Sequence, residues 1–192
     1  MKVYGLTGGI GMGKTTAARL LLERGIGVVD TDELARRIVE PGQPALVEVA
    51  KVFGRELLAD NGRLRRDELA RRVFEHAGAR KQLEAILHPR IRELWLAQIA
   101  AWRDEDRSVA VVVIPLLFET DATSHFDQTI CLACSVETQH ARLLARGWSA
   151  EQIAQRLAAQ WPIEKKMALA NHVIWTEGSV EALAEQLRRV IG

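Results

Sequence analysis

Short apolar runs alternate along most of the chain with segments in which apolar residues recur every three or four positions. The apolar runs, typical of buried strands, cover residues 2–7, 26–29, 108–114, 127–133 and 172–176. The segments between them have the spacing of amphipathic helices. Strands that are apolar throughout and alternate with helices are typical of a parallel sheet covered on both faces. The pattern therefore predicts an α/β fold with about five parallel strands between two layers of helices.

One long stretch, about residues 43–103, carries little strand signal. Its apolar spacing predicts helices over residues 45–53, 65–76 and 79–102. We expect an interruption of the third helix near His88, because a following proline, here Pro89, disfavours the helical conformation. Trp95 and Trp102 recur with the apolar residues of this helix, which favours core positions over a stacking platform for a ligand. The stretch is predicted to form a helical lobe.

A second helical segment precedes the last strand. Ser149 and Gln152 have the spacing of a capping box, which starts a helix expected to reach about residue 160. Another helix is predicted over residues 163–170, and basic residues punctuate the region, as in a lid that closes over phosphate groups. Within a single domain we therefore expect a core of residues 1–40, 108–147 and 171–192, a lobe at about 43–103 and a lid at about 148–170.

The composition agrees with one globular domain. The 192 residues are 48% hydrophobic and 27% charged, which is enough for a sizeable core. The 26 lysines and arginines nearly balance the 25 acidic residues, and the resulting net charge of +1 argues against nucleic acid or an anionic membrane as a partner. No apolar run reaches the length of a membrane span, and no signal-peptide pattern is present. Nothing in the sequence predicts the oligomeric state.

The two cysteines, Cys131 and Cys134, have the C-x-x-C spacing of redox and zinc sites. They lie in or next to the predicted strand over residues 127–133, and residues three apart on a strand face opposite sides. Two thiols also fail to complete a tetrahedral zinc site. We therefore predict that both are reduced and packed in the core, which fits a cytoplasmic protein.

The candidate chemistry begins at residues 8–15, which fit the phosphate-binding pattern G-x-x-x-x-G-K-[ST]. A predicted strand precedes the motif and a predicted helix follows it, a context that a chance glycine-rich turn would lack. Glycines let the backbone curl round phosphates, and the helix N-terminus adds positive potential. Lys14 is expected to reach the β- and γ-phosphates of ATP, and the Thr15 hydroxyl to ligate Mg²⁺. The predicted nucleotide-binding residues are Gly8, Gly9, Gly11, Met12, Gly13, Lys14, Thr15 and Thr16.

Two acids, Asp30 and Asp32, end the second predicted strand. Open α/β sheets bind ligands outside the carboxyl ends of their strands, which favours a functional role for Asp32. The alternative is structural, since Asp30 or Thr31 can cap the helix predicted over residues 33–40.

Arg142 and Arg146 lie one turn apart, just before the predicted lid. Arginines in that position neutralise charge that develops on a transferred phosphoryl group. The alternative is an ordinary solvated helix surface.

Taken together, these stretches resemble the dephospho-coenzyme A kinases. Besides the phosphate loop, the chain has D-T-D at 30–32, V-E-P-G at 39–42, L-H-P at 87–89, P-L-L-F-E at 115–119 and Gln160, in the family's order. The phosphate loop alone would indicate only the P-loop superfamily, whereas this combination is specific and extends over nearly the whole chain.

The resemblance implies a P-loop NTPase core with a coenzyme A lobe and a lid. It implies that ATP phosphorylates the ribose 3′-hydroxyl of dephospho-coenzyme A, giving coenzyme A and ADP in the last step of coenzyme A synthesis. Asp32 is implied to accept the proton of that hydroxyl. Arg65 and His88 match positions of the substrate lobe, and Arg142 and Arg146 match lid positions near the phosphates.

The sequence also departs from the family. Val113 stands where many members carry Asp, which leaves the Mg²⁺ shell to Thr15, water and an Asp of the second strand. Residues 171–178, expected near the adenine, differ from the usual asparagine-rich pattern, and Met12 replaces a common Ser at a position expected to supply only backbone. A kinase for another nucleotide or small metabolite and a GTPase-like switch are the alternatives, although no N-K-x-D guanine-reading stretch occurs.

Overall fold

The computed structural model describes residues 1–75 and 77–192. It divides into two compact units, one formed by Met1–Asp30 with Ile99–Gly192 and the other by Thr31–Gln98. His76, the expected last residue of the helix over 65–76, lies outside the described residues. Among the described residues, no helix combines the length and the apolar content that crossing a membrane requires.

The first unit contains the predicted parallel sheet. Its strands are β1 (Lys2–Gly8), β2 (Gly27–Asp30), β3 (Val109–Val113), β4 (Gln128–Ala133) and β5 (His172–Trp175). Within the described part of the chain these five strands form one sheet in the order β2-β3-β1-β4-β5, and every pairing is parallel. The register places Leu6 opposite Val113 of β3 and Gly8 opposite Leu132 of β4. The strand that leads into the phosphate loop is therefore the central one.

The helices follow the strands as the periodicity predicts. They are α1 (Lys14–Glu23), α2 (Thr31–Arg37), α3 (Pro44–Phe53), α4 (Arg66–Glu75), α5 (Ala77–Asp104), α6 (Val136–Leu144), α7 (Ala150–Ala158), α8 (Ile163–Leu169) and α9 (Val180–Ile191). The capping box at Ser149 and Gln152 is present at the start of α7. Helix α1 is followed by Gly25, whose φ of 76° allows the next amide, that of Ile26, to donate to the Leu21 carbonyl.

One face of the sheet carries a hydrophobic core. Leu6, Val113 and Leu132 pack there, because residues in register on neighbouring strands point to the same side of a sheet. Helices α1 and α9 cover this face with Leu21 and Leu187. Val113 is fully buried in this apolar cluster, which gives a packing reason for an apolar residue at that position.

The second unit is helical and has its own hydrophobic cluster around Val49, Phe53, Leu57, Leu69 and Ile86. Two sequence expectations are wrong here. Helix α5 continues through Pro89 without interruption. A proline inside a helix costs about 3 kcal/mol, but Ile86 and Ile91 are buried on either side and hold the helix in place. Helix α2 begins at Thr31 rather than at residue 33, so that Asp32 lies in its first turn.

Cys131 and Cys134 are free and buried, as predicted for core residues. Burial raises the pKa of the Cys131 thiol to about 11 and also raises that of Cys134. Since the thiolate is the reactive form, we expect a chromogenic disulfide reagent at pH 8 to titrate neither thiol in the folded protein. Both should react in denaturant. Stoichiometric modification of the native protein would show that one of them is accessible and ionised.

Candidate active site

The loop between β1 and α1 has the backbone that its glycines make possible. Gly8, Gly11 and Gly13 have φ values of 146°, 77° and 85°, a region that other residues rarely adopt. At Gly8 a Cβ atom would also lie 2.5 Å from the Leu132 carbonyl oxygen, so the chain leaves β1 close beside β4. Gly13 directly precedes α1, whose N-terminal amides therefore face the loop. The arrangement is that of an anion-binding site.

Lys14 folds over this loop. Its Nζ atom donates to the carbonyl oxygens of Gly8 and Gly9, at 2.9 Å each. The side chain of Thr15 is exposed, whereas that of Met12 is buried. A Cβ on Gly9 would lie 2.8 Å from the Met12 Sδ atom, so Met12 packs beneath the loop. That Met12 contributes only its backbone to phosphate binding stays a prediction.

The tip of the loop, Ile10, is held from two sides by glutamines. Gln139 of α6 donates from Nε2 to the Ile10 carbonyl oxygen at 2.7 Å. The Ile10 amide donates to Gln160 Oε1 at 3.2 Å. Sequence reasoning missed Gln139, although it lies four residues before the buried Leu143 on the inner face of α6. Both contacts fix the backbone of the loop at Ile10, which lacks the conformational freedom of a glycine.

Arg142 links the loop to the end of β5. Its Nη1 atom donates to Thr176 Oγ1 at 3.0 Å and to the Gly11 carbonyl at 3.4 Å, and its Nη2 donates to the Thr176 carbonyl at 2.6 Å. Arg146 lies one turn further and lines the same cavity. That cavity is lined by Gly11, Gly13, Thr16, Arg142, Arg146, Thr176, Gly178, Ser179, Val180 and Leu183. The structure thus brings both arginines to the phosphate loop.

The segment after β5 is fixed by Glu177. Its carboxylate accepts the Ser135 amide at 2.9 Å and the Trp175 indole N–H at 2.8 Å. Hydrogen bonds from Ser135, then Thr138 and Trp175, lower the pKa of Glu177 from its ordinary 4.5 to about 2. The Glu177 carboxylate therefore anchors the segment whose neighbours Thr176 and Gly178 line the cavity.

We expect Glu177→Gln to lower the melting temperature at neutral pH, because the charged form makes the stronger hydrogen bonds. A folded pKa below the unfolded one stabilises the protein above pH 4.5, and this contribution is lost as the pH falls from 4.5 towards 2. The difference from the parent protein should therefore disappear across that interval in thermal scans. Glu137→Gln, which changes an exposed acid of α6, is the control. A difference that does not change with pH would refute this role.

The other three predicted site residues belong to the helical unit. Asp32 is exposed in the first turn of α2, two residues after Asp30 ends β2. The Arg65 side chain is exposed, and its amide donates to the Leu57 carbonyl. His88 is half-buried in α5, and burial lowers the pKa of its imidazole, so the ring is neutral at neutral pH. It would offer a ligand a hydrogen bond rather than a charge.

A cavity in the same helical unit is lined by the V-E-P-G motif and nearby arginines. Its residues are Val39, Glu40, Arg63, Leu64 and Arg66. Arg66 donates to the Glu40 carboxylate and to the Arg36 carbonyl, both at 3.0 Å. The Glu40–Arg66 pair fixes one wall, and Arg63 adds an exposed positive charge beside it.

Oxygen donors suited to Mg²⁺ are present on two elements of the first unit. Thr15 offers a hydroxyl in the first turn of α1, and Asp30 offers a carboxylate at the end of β2. Asp30 is in register with Val113 on the neighbouring strand β3. Across the described residues, no three His, Cys, Asp or Glu side chains form a ready ligand cluster. A hydroxyl and one carboxylate suit Mg²⁺, which keeps several waters.

Sequence and structure comparisons both relate the chain to dephospho-CoA kinases. The sequence profile of the dephospho-CoA kinase family matches residues 2–182. A dephospho-CoA kinase of Bdellovibrio bacteriovorus is 41% identical, over 100% of this chain and 95% of its own length. The solved structure of TT1252 from Thermus thermophilus has a TM-score of 0.84 at 36% identity, covering 98% of this chain and 95% of its own. The structure of dephospho-CoA kinase from Campylobacter jejuni has a TM-score of 0.72 at 27% identity, covering 99% and 96%.

Proposed function

Because the chain belongs to the dephospho-CoA kinase family and catalyses the ATP-dependent phosphorylation of dephospho-CoA, we propose that the phosphorylated group is the ribose 3′-hydroxyl. The products are then coenzyme A and ADP. The observation that carries the ATP half of this proposal is the glycine loop with the Lys14 ammonium folded against its carbonyls. A loop of this kind holds the β- and γ-phosphates.

On the donor side, Lys14 and the backbone of the other predicted loop residues bind the phosphates of ATP. Ile10 is not one of them, because its amide donates to Gln160. Arg146 supplies a positive charge from the wall of the adjoining cavity. Arg142 adds a positive charge as well. It has a second role, because its hydrogen bonds to Gly11 and Thr176 keep the loop and the end of β5 together. The same cavity, next to residues 176–180, accommodates the adenosine end of ATP.

On the acceptor side, Asp32 orients the ribose hydroxyl and takes its proton as the bond to phosphorus forms. Its place two residues after the carboxyl end of β2 supports this role, because ligands of open α/β sheets bind at that edge. The residues expected to bind the rest of dephospho-CoA are Arg65 and His88. The cavity lined by Glu40 and Arg63 supports an anionic ligand in the helical lobe.

Thr15 and Asp30 are the residues that would hold Mg²⁺. Asp30 would take the place of an aspartate at position 113, where this chain has Val113. Mg²⁺, when bound, neutralises negative charge on the β- and γ-phosphate oxygens. We further propose the functional division into a core of residues 1–40, 108–147 and 171–192, a coenzyme A lobe at about 43–103 and a lid at about 148–170. A cytoplasmic location without a nucleic-acid partner suits the two free thiols and the net charge of +1.

The position of phosphorylation is tested with two substrate analogues. The protein is incubated with ATP and either 2′-deoxy- or 3′-deoxy-dephospho-CoA, and phosphorylated products are measured by mass spectrometry. The 2′-deoxy analogue should be phosphorylated and the 3′-deoxy analogue should not. Phosphorylation of the 3′-deoxy analogue would contradict the assignment of the 3′-hydroxyl.

A further inference from the structure

A largely buried ion pair is linked to the end of β1, the strand that leads into the phosphate loop, and it takes no part in the chemistry described above. Lys166 of α8 is fully buried, and its Nζ atom lies 2.8 Å from Glu119 Oε1. The same Nζ donates to the Pro115 carbonyl oxygen at 2.7 Å. That carbonyl also accepts the hydroxyl of Thr7, a buried residue of β1, at 3.1 Å. The pair therefore ties α8 to the carboxyl ends of both β1 and β3.

The pair is also connected to the tip of the phosphate loop. Glu119 Oε1 accepts the backbone amide of Trp161 at 2.9 Å. The residue before it, Gln160, accepts the Ile10 amide. Two consecutive residues between α7 and α8 are thus held in place, one by the ion pair and the other against the loop. Any shift of Trp161 displaces Gln160 with it.

Stability alone does not account for this arrangement. Removing a lysine and a glutamate from water costs several kcal/mol per ion, and apolar replacements of such pairs are often neutral or stabilising. In addition, Glu119 Oε2 is buried without a hydrogen-bond partner among the described residues. An unsatisfied carboxylate oxygen is destabilising. The arrangement is therefore better suited to fixing a position than to raising the free energy of unfolding.

We propose that Glu119 and Lys166 are positioning residues for phosphoryl transfer, which act through Gln160 on the backbone of Ile10 in the phosphate loop. The inference rests on the role proposed for that loop in binding ATP. With the pair in place, Trp161 is fixed, Gln160 meets the Ile10 amide, and the loop keeps one shape. Without it, the segment between α7 and α8 loses its anchor and the loop tip loses one of its two glutamine contacts.

The test uses the double variant Glu119→Gln/Lys166→Met, because a single change would leave one buried charge unpaired. The introduced glutamine has no lysine to fix its orientation, so the acceptor for the Trp161 amide is no longer held in place. The introduced methionine replaces the lysine stem. A misplacement near 1 Å costs about 10²-fold in rate, so we expect a loss of about 10–10²-fold in kcat/KM for ATP. The melting temperature should stay close to that of the parent. Lys51→Met/Glu137→Gln, with two exposed charges removed, is the matched control.

The pathway through Gln160 is tested by combining changes. Gln160→Ala alone should lower kcat/KM for ATP to a similar extent, and adding it to the Glu119→Gln/Lys166→Met variant should lower it no further. The proposal would be overturned if the two losses in kcat/KM multiplied in the combined variant. It would also be overturned if Glu119→Gln/Lys166→Met kept the kcat/KM of the parent protein. A stability role would lower the melting temperature and leave kcat/KM unchanged. Failure of the proposed function is distinguishable, because the parent protein itself would then lack ATP-dependent activity on dephospho-CoA.

Discussion

Replacing Asp32 with asparagine is expected to lower kcat by about 10²–10⁴-fold, the usual contribution of a positioned general base. Asparagine has nearly the same shape and still hydrogen-bonds a hydroxyl, but it has no basic oxygen to take the proton. The KM for ATP should remain nearly unchanged, since the proposed donor contacts come from the glycine loop and Lys14. Steady-state rates at saturating dephospho-CoA, with ATP varied, measure both quantities.

The control for this change lies next to it. Glu33 is a second exposed acid in the first turn of α2, where a negative charge favours the helix by about 0.3–1 kcal/mol. Glu33→Gln and Asp32→Asn should therefore share a small loss in melting temperature, while Glu33→Gln keeps kcat. Equal kcat values for Asp32→Asn and the parent would remove Asp32 from the mechanism.

Lys14→Ala is expected to impair both ATP binding and transfer, with kcat/KM for ATP reduced by at least about 10²–10³-fold, as for loss of one preorganised donor to developing charge. The Lys14 ammonium supplies the positive charge of the loop, and its hydrogen bonds to two carbonyl oxygens hold it there. Calorimetric titration of ATP and steady-state rates separate the loss in affinity from the loss in kcat.

Lys51→Ala, which removes an exposed lysine from α3, controls for the change in net charge. Lys14→Ala also removes two hydrogen bonds to loop carbonyls, so its melting temperature is recorded alongside the kinetics. ATP affinity and turnover like those of the parent, in a folded variant, would be incompatible with the loop as the ATP site.

The loop and the sheet were predictable because their signals are local. The strand–glycine–helix order around Gly13, the capping box at Ser149 and the apolar run of β3 each depend on neighbours in sequence. The burial of Cys131 followed from the same strand pattern. Local rules of this kind identify the elements and the phosphate-binding motif without reference to the rest of the chain.

Other features depend on contacts between distant segments, which sequence patterns do not reveal. The local rule for proline predicted a break in α5 before Pro89. The helix is continuous instead, because Ile86 and Ile91 are buried on either side and stabilise it. Lys166 looks in the sequence like one of the two lysines of the lid, yet it is fully buried and its partner Glu119 lies 47 positions earlier. A charge on a helical segment is usually solvated, so only the fold reveals this exception.

The candidate site shows the same division. Spacing alone predicted Lys14 and Thr15, whereas the glutamine contacts to Ile10 required the structure, because Gln139 lies on α6 and Gln160 lies between α7 and α8. Arg142 was predicted to meet phosphate, and its observed partners are Gly11 and Thr176. The distinction between a phosphate ligand and a clamp for the loop depends on tertiary geometry.

The most direct test of the account is acceptor-dependent ADP formation, measured with a coupled assay and with coenzyme A quantified by mass spectrometry. We expect ADP to form with dephospho-CoA present, coenzyme A to appear in equal amount, and nucleoside monophosphates to be far poorer acceptors. ADP formation at the same rate without any acceptor, or faster transfer to a nucleoside monophosphate, would contradict the assignment as a dephospho-CoA kinase.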